Sequence, residues 1–550
     1  MKKIVYFLLS GSLVLTFSCR KDFLDRLPLD QITDENYWAS ADQLKLAANG
    51  CYAYIKGKNT VDMENLGDNT VWPTVTDYQR IASGNYGNDN GGVNAEWTSG
   101  YDGIRRCNHF LENYMKAPVT PALRERYAGE VRFIRAYLYN YLVMFFGDVQ
   151  LITKTLTPSD PEVFGTRQPK AQVVDFILSE LDSAAAKLPA TYTAADFGRI
   201  TKGAALALKA RVALYQQKYD IAEKAAKDVI DLNVYSLYKA AGTSSYYELF
   251  TYKGRASTNA TNKESILVRA HVAEISMHNL SREIQVPDQE SRWNPTKSLV
   301  DAYLCTDGKP ITKSAVYTET NYNDIFKNRD PRMVQTVLAP GYAWRGQDDG
   351  DADNLPNATY NLPKFTSDKK GSVTVTGYYF TKYCEPSTVG AVSKDANDII
   401  LLRYAEVLLT YAEARLERGS LTQADIDLTI NQLRSRVGML PMKLTELSDW
   451  GMNPRDEVRR ERRIELALEG QRYFDIIRWK QGSLLAEDVK GVKKAFAPVP
   501  SEVANRPVDA NGYIIFNTNR TFSDQKHYLW PIPLVQLERN PNLGNNPGWQ

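Results

Sequence analysis

The amino-acid sequence predicts a mainly α-helical protein: a scaffold of tetratricopeptide-like helical hairpins carrying a loop-rich lobe with short β elements. Three observations lead there. Long stretches repeat apolar residues at helical spacing, above all ALRERYAGEVRFIRAYLYNYLVMFF at 122–146, which stops at Gly147. The pair KGAALALKARVALYQQ and YDIAEKAAKDVIDL carries small residues at Ala213 and Ala225, a pattern that lets the two helices of a hairpin approach closely. Between two helical blocks, residues 252–396 are rich in Gly, Asn, Asp, Pro and Thr, with short β-type runs such as SVTVTGYYF.

The chain opens MKKIVYFLLSGSLVLTFSC. Lys2 and Lys3 precede an apolar run over residues 4–17 that is too short to span a bilayer and is followed by polar sequence. That is the pattern of a cleaved secretory signal, residues 1–18. Cys19 ends the run where bacterial lipoproteins are acylated, so it is the expected lipidation site; Phe17 is bulkier than the residue usual two places before such a cysteine. Several acyl chains on one cysteine anchor a protein stably. No later segment is long and apolar enough to cross a membrane.

Helices are then expected over 122–146, 172–188, 202–217 and 221–232. A second helical block runs over 398–438, with Leu401, Ala405, Leu408, Ala412 and Leu416 as one apolar stripe. Ser420 is the expected cap where that block restarts. Residues 65–103 share the loop character of the central segment, and loops held on a rigid frame are where binding concentrates.

At 550 residues the chain exceeds what one core usually serves, so two lobes are expected. The 67 basic and 65 acidic residues leave a formal charge of +2, without the cationic surplus that binding to nucleic acid requires. Cys51, Cys107, Cys305 and Cys384 show no CxxC spacing and read as buried free thiols. His109, His271, His278 and His527 form no HExxH pair, so neither a metal nor another cofactor is called for.

The block RRERRIELALEGQRYFDIIRW at 459–479 looks at first like a polyanion patch. On one helix, however, Glu457, Glu461, Glu465 and Glu469 recur every four residues and need cations beside them. Arg460 is three from Glu457, Arg462 three from Glu465, and Arg459 answers Asp456, with Gly470 as the stop. A partly buried ionic brace is the expectation.

Several phrases together resemble the SusD/RagB family of outer-membrane lipoproteins. They are CRKDFLDRLPLDQITDENYW with NGCYAYI, then NPTKSLVDAYLCTDGKPI and NRDPRM, then DIILLRYAEVLLTYAEA, the arginine block itself, and the ending YLWPIPLVQLERNPNLGNNPGW. The resemblance covers nearly the whole chain. It implies a SusD-like fold with a helical region over 19–250, a ligand-binding lobe over 251–397 and a C-terminal helical region over 398–550. It also implies a surface protein without catalytic machinery, tethered to the outer membrane beside a SusC-like TonB-dependent transporter. Such proteins capture oligosaccharides, or oligopeptides in the RagB branch.

A sugar offers an apolar face and a belt of hydroxyls, so its binder needs flat aromatics and planar hydrogen-bonding groups. Residues 68–97 supply Asp68, Asn69, Trp72, Asp77, Tyr78, Arg80 and Trp97; the central segment supplies Trp293, Tyr342, Trp344 and Arg345. Trp97, Tyr101 and Ile104 fall on one helical face, which favours core packing for Trp97. Tyr342 and Trp344 share a face if their segment is extended. A glycosidase needs two carboxylates at a set separation, and no motif singles such a pair out.

Overall fold

The structure, a computed structural model, describes residues 37–285, 292–344, 358–366, 373–388, 394–517 and 519–549. The signal segment, Cys19 and Arg345 lie outside the described residues.

Helix α1 (Ala41–Tyr52) starts where the Ser40 hydroxyl accepts from the Gln43 N–H. Helix α2 (Gly91–Asn113) falls largely inside the segment read as loop. Its glycines misled the reading, because Gly is a poor helix former in isolation. Here they serve packing: a Cβ on Gly100 would lie 2.9 Å from Leu142, and one on Gly103 2.6 Å from Leu138. Both leucines belong to α3 (Pro121–Phe146), so the glycines set how closely α2 and α3 approach.

Helix α3 is buried almost continuously from Tyr127 to Phe146, which explains an apolar sequence with little amphipathic contrast. Thr120 caps it, and Gly147, at φ +73°, ends it. Helices α4 (Lys170–Lys187), α5 (Lys202–Tyr215) and α6 (Tyr219–Asp231) follow, with α5 and α6 as the expected hairpin. Ala213 and Ala225 are both buried in it.

The 398–438 block differs from its reading at two points. Residues Ile399–Arg403 form strand β4, antiparallel to β2 (Ser265–Arg269), so Leu401 belongs to a strand and the helical stripe begins at α7 (Tyr404–Glu417). A short apolar run buried on both faces satisfies strand and helix periodicity alike, and length decides. The restart is capped by Thr422, with Asp425 completing a capping box, in place of Ser420. Helix α8 (Ile430–Val437) ends at Gly438 in the left-handed conformation.

Two more short pairings cross long stretches of chain or close the C-terminal region: β1 (Thr70–Val71) with β3 (Asn294–Pro295), and β5 (Val489–Lys493) with β6 (Tyr513–Asn517). One apolar core contains side chains from Trp38 to Leu543. Cys51, Cys107, Cys305 and Cys384 are free and buried. Among the described residues no helix is long and apolar enough to cross a membrane.

The arginine block forms α9 (Pro454–Glu465) and α10 (Arg472–Arg478). Helix α9 stops earlier than expected, with Leu468 and Gly470 both at positive φ before α10 begins. Gly470 is obligatory there, since a Cβ would lie 2.0 Å from the Thr60 carbonyl. Arg460 does pair with Glu457 at 3.2 Å. The other expected partners are replaced by distant ones: Arg462 holds Asp475 at 2.9 Å, and Arg459 holds Glu417 at 3.1 Å. Glu465 is buried among Arg332 at 3.0 Å, Arg403 at 2.8 Å and Arg436 at 2.7 Å. Burial works to raise the Glu465 carboxyl, but the three guanidinium groups outweigh it and hold it far below the carboxylate range. A spaced pair within one helix contributes only about 0.2–0.5 kcal/mol, whereas a buried charge must be answered, so tertiary partners prevail. The block is an ionic brace, and a long-range one.

Candidate functional site

The short β1–β3 pairing brings two of the aromatic candidates together. Val71 sits opposite Asn294, so Trp72, just after β1, meets Trp293, just before β3. Their rings contact edge to face, with centroids 5.0 Å apart and planes at 86°. Trp293 is fully buried and Trp72 half-buried, so the first forms the floor on which the second stands. The Gln79 side-chain amide donates to the Trp72 carbonyl at 2.9 Å and ties it to the helix Asp77–Ala82.

That helix presents Arg80, whose side chain is 58 % exposed and whose nearest acid is Asp77 at 3.7 Å. Tyr78 is half-buried and donates to Glu96 at 2.8 Å; burial and that carboxylate push its phenol up. Arg292, absent from the sequence reading, lies over Trp72 at 5.5 Å and pairs with Glu283 at 3.1 Å. Glu283 also receives Lys58 at 2.7 Å, so a run of ion pairs borders the ring. Only its position beside Trp293 marked Arg292 in the sequence.

Asp68 and Asn69 belong to the frame. Asp68 takes Arg472 at 2.6 Å and Arg463 at 3.1 Å, and the Arg463 guanidinium donates to the Asn69 side-chain oxygen Oδ1 at 2.8 Å. Burial alone would raise the Asp68 carboxyl; Arg463 and Arg472 hold it well below the usual range. Its charge is therefore answered from within. Trp97 is buried against Phe146 with centroids 5.0 Å apart, the core position its helical face favoured.

Tyr342 and Trp344, expected to share a face, part company. Tyr342 is 48 % exposed, whereas Trp344 is fully buried against Tyr379 at 5.4 Å and Tyr360 at 6.4 Å. Alternation ranks two residues by side, but contact with a tyrosine cluster decides which one is covered. The two aromatic groups are joined from beneath. The Thr374 hydroxyl lies 2.7 Å from the Asn294 side-chain oxygen and 2.9 Å from the Tyr378 carbonyl, next to the Tyr379 that packs on Trp344.

The open members of the set are thus Arg80 and Tyr342, with Trp72 and Tyr78 half-open, and the buried Trp293 props Trp72. Such an arrangement can stack a ring and donate to hydroxyls. Among the described residues no group of three or more His, Cys, Asp or Glu side chains is placed to hold a metal ion.

Comparison with known proteins agrees with this architecture. Residues 273–549 match the sequence signature of the SusD family, and residues 22–214 match one described as starch-binding and associating with the outer membrane. SusD-like protein P38 of Formosa agariphila is 24% identical over 568 aligned residues, covering 98% of each chain. A SusD-like protein of Bacteroides ovatus is 22% identical over 85% of this chain and 80% of its own. Among solved structures, a SusD-like carbohydrate binding protein of Bacteroides fragilis superposes with a TM-score of 0.78 at 28% identity, covering 92% of this chain and 99% of its own. A laminarin binding SusD-like protein shares the fold, with a TM-score of 0.63 at 22% identity and coverage of 92% and 99%. With the family signature matched from residue 273 to residue 549, the chain belongs to the SusD family.

Proposed function

We propose that this protein is a non-enzymatic cell-surface lipoprotein, anchored through Cys19, that captures oligosaccharides at the face formed by Trp72, Tyr78, Arg80 and Tyr342. It passes them to a SusC-like TonB-dependent transporter in the outer membrane. The observation that carries the reading is the half-open Trp72 ring, propped edge-on by Trp293 and bordered by Arg292. A propped ring loses little conformational freedom on binding, and the Arg292 guanidinium beside it is suited to hydroxyls. Family membership supports the same reading.

Isothermal titration against a panel of neutral and acidic oligosaccharides tests it. Binding of at least one glycan, weakened in Trp72→Ala, is the expected result. Binding of oligopeptides and of no glycan would replace it with RagB-like peptide capture. Cleavage of a bound glycan, abolished by replacing one carboxylate, would make the protein an enzyme. Anchoring has its own test: Cys19→Ala should move the protein from the membrane fraction to the soluble one. Co-purification of a TonB-dependent transporter with the tethered protein tests the partner.

A further inference from the structure

Where α4, α5 and α10 meet the 524–529 segment there is a pocket of about 420 Å³ that shares no residue with the Trp72 face. Three lysines line it, Lys170, Lys480 and Lys526, against a single carboxylate, Asp524. None of the three forms an ion pair among the described residues. Elsewhere in the chain partly buried lysines are paired, as Lys56 is with Glu96 at 2.7 Å and Lys297 with Asp301 at 2.5 Å.

The placement of Lys170 is electrostatically unfavourable without a guest. Lys170 is the first residue of α4, at the positive end of an 18-residue helix, where a cation is destabilising. The Asp148 carboxylate accepts from its backbone N–H at 2.7 Å, which leaves the side-chain ammonium without a carboxylate of its own. Burial, and then the neighbouring Lys480 ammonium, push Lys170 down; Asp148 opposes them without prevailing. Lys480 lies 3.8 Å from the Tyr528 ring and Lys526 4.0 Å from the Trp549 ring, so aromatic faces steady both in place of acids. The floor is apolar, with Met144 and Leu529.

We propose that this pocket binds a compact ligand bearing a carboxylate, sulfate or phosphate group. The anion sits among the lysines, where charge-assisted hydrogen bonds are available, and the body of the ligand rests on Met144 and Leu529.

The test is isothermal titration of the whole protein with sodium sulfate, sodium phosphate and sodium glucuronate, each against sodium chloride at matched ionic strength. At least one of the three should bind one-to-one and more tightly than chloride, and the identity of that one assigns the head group. Lys170→Gln with Lys480→Gln should weaken it at least tenfold. Lys480 is exposed, so Lys480→Glu alone serves as the variant least prone to misfold, and its affinity should fall at least as far. Trp72→Ala should leave this binding unchanged, which separates it from the glycan reading. Equal affinity for chloride, undiminished binding by Lys480→Glu, or loss of binding in Trp72→Ala would each overturn the proposal.

Discussion

Two regions of this chain mix charges with aromatics, and the fold uses them in opposite ways. In the arginine block, Glu465 is ringed by three guanidinium groups and Arg462 is held by Asp475, all buried. Around Trp72 the charges form a border at the surface, and the ring stays half-open. Charge density along the sequence is therefore a poor guide to binding. What separates the brace from the Trp72 face is burial: the brace charges are enclosed, whereas the side chains of Arg80 and Arg292 stay 58 % and 38 % exposed. Glu465 draws its partners from residues 332, 403 and 436, whereas Arg80 finds only its neighbour Asp77 at 3.7 Å.

The sharpest way to break that contrast is Glu465→Gln. It leaves three buried guanidinium groups sharing one lost charge, and should cost about 3–5 kcal/mol or more in chemical unfolding. A loss below about 1 kcal/mol, the range of an exposed ion pair, would show that the brace is not a brace. Trp344→Ala comes next, removing a fully buried indole for about 3–5 kcal/mol. Its near neighbour Tyr342→Ala should change stability by less than about 0.5 kcal/mol, while glycan affinity falls. If the two variants behave alike in unfolding, the division drawn between them is wrong.

Arg462→Met should destabilise by about 3 kcal/mol, since the buried Asp475 carboxylate is left with Arg478 alone at 2.8 Å, with glycan affinity retained by the folded fraction. Trp72→Ala should reverse that pattern: glycan affinity about tenfold weaker, worth about 1.4 kcal/mol, and a smaller loss of stability.

Stability also responds to pH. Burial, reinforced by His278 and Arg269, pulls His271 down to about 4, and burial with Lys526 does the same to His527. In the unfolded chain each titrates near ~6.5. Between those values the unfolded state binds more protons, so stability is fully present above about pH 6.5 and declines as pH falls toward 4. Melting curves from pH 7 to 5 should show the decline, and replacing both histidines with Asn should flatten it. An unchanged slope in that double variant would assign the acid sensitivity elsewhere.

Local patterns were read well where the chain makes its own case. The 122–146 periodicity gave a helix over Pro121–Phe146, and Ala213 and Ala225 marked a real hairpin. Gly100 and Gly103 hid a helix, because glycine's low propensity is visible in sequence while the leucines that require it are on another helix. Of the proposed face, Trp72, Arg80 and Tyr342 were candidates by residue type and loop setting, and all three keep some exposure. Arg292 was missed because its role exists only through contact with Trp72.

By itself, then, the sequence determined the helical class, the family phrases and the stock of aromatics. These depend on spacings of a few residues and on composition. The tertiary structure alone decided which tryptophan stands open and which carboxylate each arginine holds. Those outcomes depend on pairings such as Val71 with Asn294 and Arg403 with Glu465, between segments far apart in the chain, and short-range periodicity carries no record of them.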